Sequence, residues 1–335
     1  MRIYTRTFGS GYLATAPEVP GAWERGATEE EALARCRESV REELAAYERL
    51  GSPLQVSAGE QVVDGTLLPA LVEDLLPATP DHVVRTMARL RELRAQIARF
   101  LGGLGPADLD ARSGAEWSVR LTLDHVASGE WIFTQRLDVW PLDPVDAQRA
   151  ALDALLRELS SLAPERRARR TEHFGLNDES GRVRWTPRKV ARVVAELQRS
   201  WLEHLRAGGA APGWPSHADG PKDGEPLSDP DVSLVASQGA ELLAFSRGRT
   251  GAGPVPLMYQ YYRLRLTEWP DDPRERWETI ARAFDERIAR QSETELALVR
   301  ATPAGGFASV RQVLGRAIAH LKEHFAQMRS AAGRT

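Results

Sequence analysis

Residues 82–104 read HVVRTMARLRELRAQIARFLGGL. Val84, Met87, Leu90, Leu93, Ile97 and Leu101 recur at spacings of three and four, the period of a helix with one apolar stripe. Gly102-Gly103 and Gly105-Pro106 stop it. Such a helix needs neighbours to cover its stripe, and the sequence that follows supplies them. A second helix is expected from near Trp117 to about Trp140, closed by Pro141. A third covers about 145–162. A fourth runs from Thr186 to about Arg206, with Pro187 in the first turn, where a missing N–H costs nothing. Four amphipathic helices joined by short to moderate connections read as an antiparallel bundle.

Beyond this run, residues 208–231 (GGAAPGWPSHADGPKDGEPLSDPD) are rich in Gly, Pro and Asp and read as a long loop or linker. SLVASQGAELLAFSR follows, then VPLMYQYYRLRL, which suits helix or strand. Two helices close the chain, at about 273–299 and 308–330. Ser-Val-Arg opens a helix twice, at Ser118 and at Ser309, a weak sign of two related bundles.

On the N-terminal side the period changes. MRIYTRTF is β-branched or aromatic in part, and Pro17, Pro20, Gly21 and Gly26 punctuate what comes next. Thr28 then opens a helix to about Leu50. Its hydroxyl can accept the N–H three residues on, Glu31 can reach back, and Glu29, Glu30 and Glu31 suit the helix dipole. LQVSAGEQVV adds a short strand before a linker around Pro77 and Pro80.

With 335 residues the chain is long enough for two or three domains, and a net charge of −3 offers no basic surface for nucleic acid or an anionic membrane. The single cysteine, Cys36, excludes an internal disulfide and a multi-cysteine zinc knot, and a buried small apolar side chain is its expected role. No run of about 18 apolar residues could span a membrane. The first residues lack a signal-peptide pattern, so a cytoplasmic protein is expected by elimination.

The chemistry rests on histidines. His320 and His324 stand four apart in AHLKEHFAQM (319–328), so both project from one helix face, an arrangement in which two imidazoles can hold one cation. They border the apolar stripe of Val313, Ala317 and Leu321. His125 is the best third ligand, on a stripe with Val119, Leu121 or Thr122, and Gly129. His82, His173, His204 and His217 read as surface residues. Glu130 is a candidate partner for His125 or a surface charge, and Glu323 points away from the pair. Tryptophans such as Trp131, Trp140, Trp201, Trp269 and Trp277 read as core anchors. No phosphate loop, nucleophile elbow or HExxH motif is present.

WSVRLTLDHVASGE resembles the second helix of the DinB-like metal-binding four-helix bundles, and AHLKEHFAQM resembles that family's last helix with its His-x-x-x-His pair. The resemblance implies a divalent transition metal on His125, His320 and His324, with open positions for a thiol or water. It also implies an activity of the thiol S-transferase or isomerase kind. WTPRKVARVVAELQRSWLEH is similar to a last helix too, with Leu197 and Trp201 where the histidine pair would stand. APEVPGAWERGATEEEALARCRESVREELAAYERLG resembles the HicB-like module, carried by Pro17, Pro20-Gly21, Gly26, Thr28 and Glu31-Ala32. That implies a small sheet with one helix against it, serving a protein partner or self-association.

The expected architecture is therefore α+β and mostly helical. A HicB-like α/β module at 1–60 precedes a DinB-like bundle at 78–207. A second helical region at 232–332 completes or duplicates that bundle. Zinc, nickel and iron are not distinguishable by three imidazoles, and a low-molecular-weight thiol or small-molecule substrate is the expected reactant. Catalytic residues are not assigned. The alternative is a non-catalytic interaction scaffold with a degenerate metal site, which would leave the three histidines exposed and apart.

Overall fold

The computed structural model describes residues 1–65, 71, 75–112, 117–138, 141, 143–169, 185–208, 225–247, 258–301 and 307–333. The fold is α+β and mostly helical. The chain divides into two compact units. The first takes Met1–Leu137, Ile280–Arg300 and Gly306–Thr335; the second takes Asp138–Thr279 and Ala301–Gly305. The segment 1–60 falls inside the first unit, whereas 78–207 and 232–332 each draw on both.

The first unit opens with β1 (Arg2–Phe8), β2 (Gly11–Thr15), β3 (Trp23–Gly26), α1 (Glu29–Arg49) and β4 (Gln61–Asp64). The sheet order is β3-β2-β1-β4, antiparallel except for the parallel pair of β1 with β4. Ile3, Ala14, Ala32, Cys36 and Val40 form the core between sheet and helix. The helix begins where its cap chemistry places it. Thr28 Oγ1 accepts from the Glu31 N–H at 3.2 Å, and the Glu31 carboxylate reaches back to the Ala27 N–H at 2.7 Å. Gly26 carries no side chain for a steric reason: a Cβ there would lie 2.9 Å from the Thr28 carbonyl oxygen and strike the Ala32 nitrogen.

The helical part of this unit comprises α2 (Pro80–Gly102), α3 (Pro106–Leu109), α4 (Val119–Gln135), the segment Ile280–Ala289 of α10 (Pro273–Ala289), α11 (Glu293–Ala297) and α12 (Val310–Ala331). A short ribbon of β5 (Val299–Ala301) and β6 (Phe307–Ser309) leads into α12. Met87, Leu90, Leu93, Ile97 and Leu101 are buried as the α2 stripe requires, but Val84 is 68% exposed and is not part of it. Both Ser-Val-Arg starts are N-caps: Ser118 accepts from the Leu121 N–H at 3.3 Å and Ser309 from the Gln312 N–H at 3.1 Å. The two helices they start belong to one unit and pack on each other. Helix α4 ends at Gln135, short of Trp140, which lies outside the described residues. The expected helix at 273–299 stops at Ala289, because Ser292 and Glu295 form a capping box that begins α11.

The second unit holds α5 (Pro144–Ser161), α6 (Pro164–Arg167), α7 (Pro187–Ala207), α8 (Asp229–Arg247) and α9 (Met258–Arg263). Helix α9 settles the helix-or-strand choice at that segment in favour of helix. Thr186 caps α7 through the Lys189 N–H, with Pro187 at the first turn. Gly239 on α8 lets α5 and α7 close in: a Cβ there would lie 2.7 Å from Gln198 Nε2 and strike Leu152. Leu197 is buried, and Gln198 donates to the Tyr259 hydroxyl at 3.0 Å. No described helix is long and apolar enough to cross a membrane.

Candidate metal centre

Helix α4 carries His125, and α12 carries His320 and His324, one turn apart on one face. The three histidines each offer a ring nitrogen, and these nitrogens lie within 4.8 Å of one another. His320 Nε2 and His125 Nε2 are 3.2 Å apart. Ring centroids are 4.6 Å apart for His125 and His324, and 4.5 Å for His320 and His324. Their separation in sequence is bridged because α4 and α12 pack directly on one another.

Gly129, one turn after His125, makes this approach possible. A Cβ at that position would lie 3.0 Å from both ring nitrogens of His320 and collide with its Cε1. The His320 ring therefore rests on the bare backbone of α4. Two aromatic rings frame the cluster: Trp117 meets His125 edge-on at 5.1 Å, and Phe133 meets His320 at 5.7 Å and 87°. His324 is buried, and its Nδ1 is 2.9 Å from Gln327 Oε1. A proton on Nδ1 satisfies that carbonyl and leaves Nε2 with its lone pair free, the state a metal ligand requires.

All three imidazoles are held below the ordinary histidine pKa. Burial lowers His125 to about 4, helped by the neighbouring His324 and Arg25 charges. Burial also takes His320 well below 6.5, with His324, His125 and Arg25 adding to it. For His324 burial outweighs the opposing hydrogen bond to Gln327. At neutral pH the cluster is therefore three neutral rings. His320 Nδ1 is buried with no hydrogen-bond partner.

The other charged residues near the centre are spoken for. Glu323 pairs with Arg25 at 3.6 Å, in line with its expected direction away from the histidine pair. Glu130 is fully buried and its Oε1 accepts from Arg94 Nε at 2.9 Å, which corrects the surface reading. Its burial follows from α2, whose arginine also pairs with Asp285. The Arg316 guanidinium lies 5.8 Å from the Trp23 ring.

His82 is also corrected: it is 6% exposed at the start of α2, against the Thr86 hydroxyl, and burial with the nearby Arg311 and Arg85 charges lowers it to about 3. His204 sits at the end of α7 against the Trp201 ring, and His173 and His217 lie outside the described residues. Cys36 is buried, and burial pushes its thiol up to about 12, so it is a core side chain and not a nucleophile. Gln327, Trp117 and Phe133 escaped the sequence reading. Gln327 could have been found as the residue one turn beyond His324; the two aromatics give no signal without the fold.

No protein-family model, curated protein or solved structure matches this chain.

Proposed function

We propose that the first unit is a DinB-like bundle that binds one divalent transition metal through His125, His320 and His324. The observation that carries this reading is the 3.2 Å separation of the His125 and His320 Nε2 atoms. Two bonds of about 2.0–2.1 Å at a tetrahedral angle span about 3.3 Å. Two neutral imidazoles at that distance either share one proton or both direct lone pairs at a cation. The third ring, oriented by Gln327, favours the cation. The donor set also fits: three unprotonated nitrogens, partly shielded from water, suit zinc, nickel or iron.

Such an ion would supply acidity, lowering the pKa of a thiol or water in its remaining positions. The chain's own residues position and shield. Gly129 admits the His320 ring, Gln327 fixes the His324 tautomer, and Trp117 and Phe133 restrict water at the edges. The activity proposed is a thiol-dependent S-transfer or isomerisation, with a low-molecular-weight thiol as the co-reactant class. A non-catalytic scaffold would place the histidines apart and in solvent, and their clustering argues against it. The antiparallel strands β3, β2 and β1 with α1 against them support the HicB-like reading of the first 60 residues, whose proposed role is contact with a protein partner or another copy of the chain.

Elemental analysis of the purified full chain, with and without His320→Ala, tests the metal. About one equivalent in the native protein and loss in the variant is the expected result. Absence of metal in the native protein after loading with zinc and with nickel would remove the metalloenzyme reading.

A further inference from the structure

Strand β3 of the N-terminal sheet runs alongside the histidine-bearing stretch of α12. Trp23 and Arg25 stand two apart in that strand, so both side chains leave it on one face. Each of them meets α12. The Trp23 ring lies 5.8 Å from the Arg316 guanidinium, one turn before His320, and Arg25 Nη1 lies 3.6 Å from Glu323 Oε1, next to His324 in the chain. The two contacts bracket the histidine pair. Arg25 is also near enough to the triad for its charge to act on all three imidazoles.

The Arg25 guanidinium is placed but not used up. It lies over the Phe8 ring, 4.6 Å from the centroid, and this contact and Glu323 together set its direction. The 3.6 Å to Glu323 is longer than a hydrogen bond, and among the described residues none accepts a hydrogen bond from this guanidinium. The side chain is 51% exposed, so its donors are open to a ligand. Charge counting says which ligand. Arg25 and Glu323 cancel, and three neutral imidazoles leave both positive charges of a divalent ion unbalanced. A thiolate supplies one negative charge, and a single carboxylate supplies the other; a phosphate monoester would overshoot. We propose that Arg25 is a specificity-determining residue of the metal centre, and that it holds the carboxylate of a small thiol bound there. The planar guanidinium fork matches a carboxylate. The inference rests on the metal reading above and adds to it a substrate class and a part for the N-terminal sheet in building the site.

Titration of the cobalt(II)-loaded full chain with 3-mercaptopropionate and with its neutral isostere 3-mercaptopropionamide tests it. The thiolate-to-cobalt absorption band reads binding, and elemental analysis reads the metal. The carboxylate should bind about tenfold more tightly than the amide, since charge-assisted pairs outweigh neutral ones. Arg25→Gln should keep about one equivalent of cobalt and the affinity for the amide, and lose the preference for the carboxylate. Arg25→Lys, which keeps the charge without the fork, should restore part of it. A native chain that holds no cobalt would overturn the proposal together with the reading it rests on. With cobalt bound, three results would overturn the proposal alone. They are equal affinity for the two thiols, a carboxylate preference that survives in Arg25→Gln, and loss of the metal in that variant, which would make Arg25 a structural residue.

Discussion

Helix α12 carries two buried polar clusters on opposite faces, and they are built on opposite plans. Lys322 is two residues from each of His320 and His324, about 200° around the axis. On its face, Glu43 is fully buried and accepts from Arg89 Nε and Nη2, both at 2.8 Å, and from Lys322 at 3.1 Å. Arg89 also pairs with Glu92 at 2.6 Å, and Lys322 donates to Ser39 at 2.7 Å. Carboxylates meet the Arg89 and Lys322 cations here, so the buried charges are compensated within the protein. The other face gathers three neutral imidazoles, with a buried ring nitrogen on His320 that finds no hydrogen-bond partner. A polar cluster that completes itself ties α1, α2 and α12 together. One that does not complete itself asks for a ligand.

The sharpest break of this comparison is Glu43→Ala. It leaves Arg89 and Lys322 buried without their shared counter-charge, and the expected loss is about 3–5 kcal/mol in denaturant unfolding. A loss under about 1 kcal/mol would mean that water reaches the cluster and that the ion pairs hold nothing. Next comes Gly129→Ala. The added methyl group must displace the His320 ring or part α4 from α12, at about 1–3 kcal/mol. Zinc binding should fall with it, read as the loss of the zinc-induced rise in Tm. A fully stable variant that still binds zinc would show that the ring does not need its seat on the α4 backbone.

Acid separates the two clusters on the pH axis. Burial alone would raise the Glu43 pKa, but the hydrogen bonds from Arg89 and the charges of Lys322 and Arg89 outweigh it, so the folded value is lowered. Its stabilisation is present above the unfolded value near 4.5 and is lost as pH falls through the lower folded value. His125 acts in a higher window. Its folded pKa of about 4 lies below the ordinary histidine value of 6.5, so between these limits the unfolded chain takes a proton that the folded chain refuses. Metal-free protein should thus lose stability from pH 6.5 down to about 4, with up to about 1.4 kcal/mol per pH unit from this group. In His125→Asn that part of the slope should vanish, while the slope from His82 persists. An unchanged slope would place His125 in solvent in the folded protein.

What could be read in the sequence and what could not divide along the same line. The apolar periods of α2 and α12, the Thr28, Ser118 and Ser309 caps and the i, i+4 histidine pair are local, and each is visible within a few residues. So was Gly129, as a glycine inside a helical stripe, though not the ring it admits. The burial of Glu130 and His82 was missed because it is set by partners far away in the chain. Arg94 lies 36 residues before Glu130, and α2 itself is covered by a helix some 230 positions later. Val84 failed in the reverse sense: it keeps the period of its helix but is left 68% exposed. Helix spacing places a side chain on a face, and only packing decides which faces are covered.

The smallest expected effect tests the finest feature of the open cluster. Gln327 accepts from His324 Nδ1 and so assigns its tautomer, leaving Nε2 for the interior of the triad. Gln327→Leu keeps the volume and the helix but removes the acceptor, and the loss in stability should be only about 0.5–1.5 kcal/mol. Its effect on zinc should be larger in proportion, about 10- to 100-fold in affinity by competition with a chromophoric chelator. Gln327→Glu, which restores an acceptor, should recover most of it. If both variants bind zinc as the native chain does, the His324 ring is positioned by packing alone. The contrast between the two faces of α12 would then rest on His125 and His320, the pair whose nitrogens already stand at ligand distance.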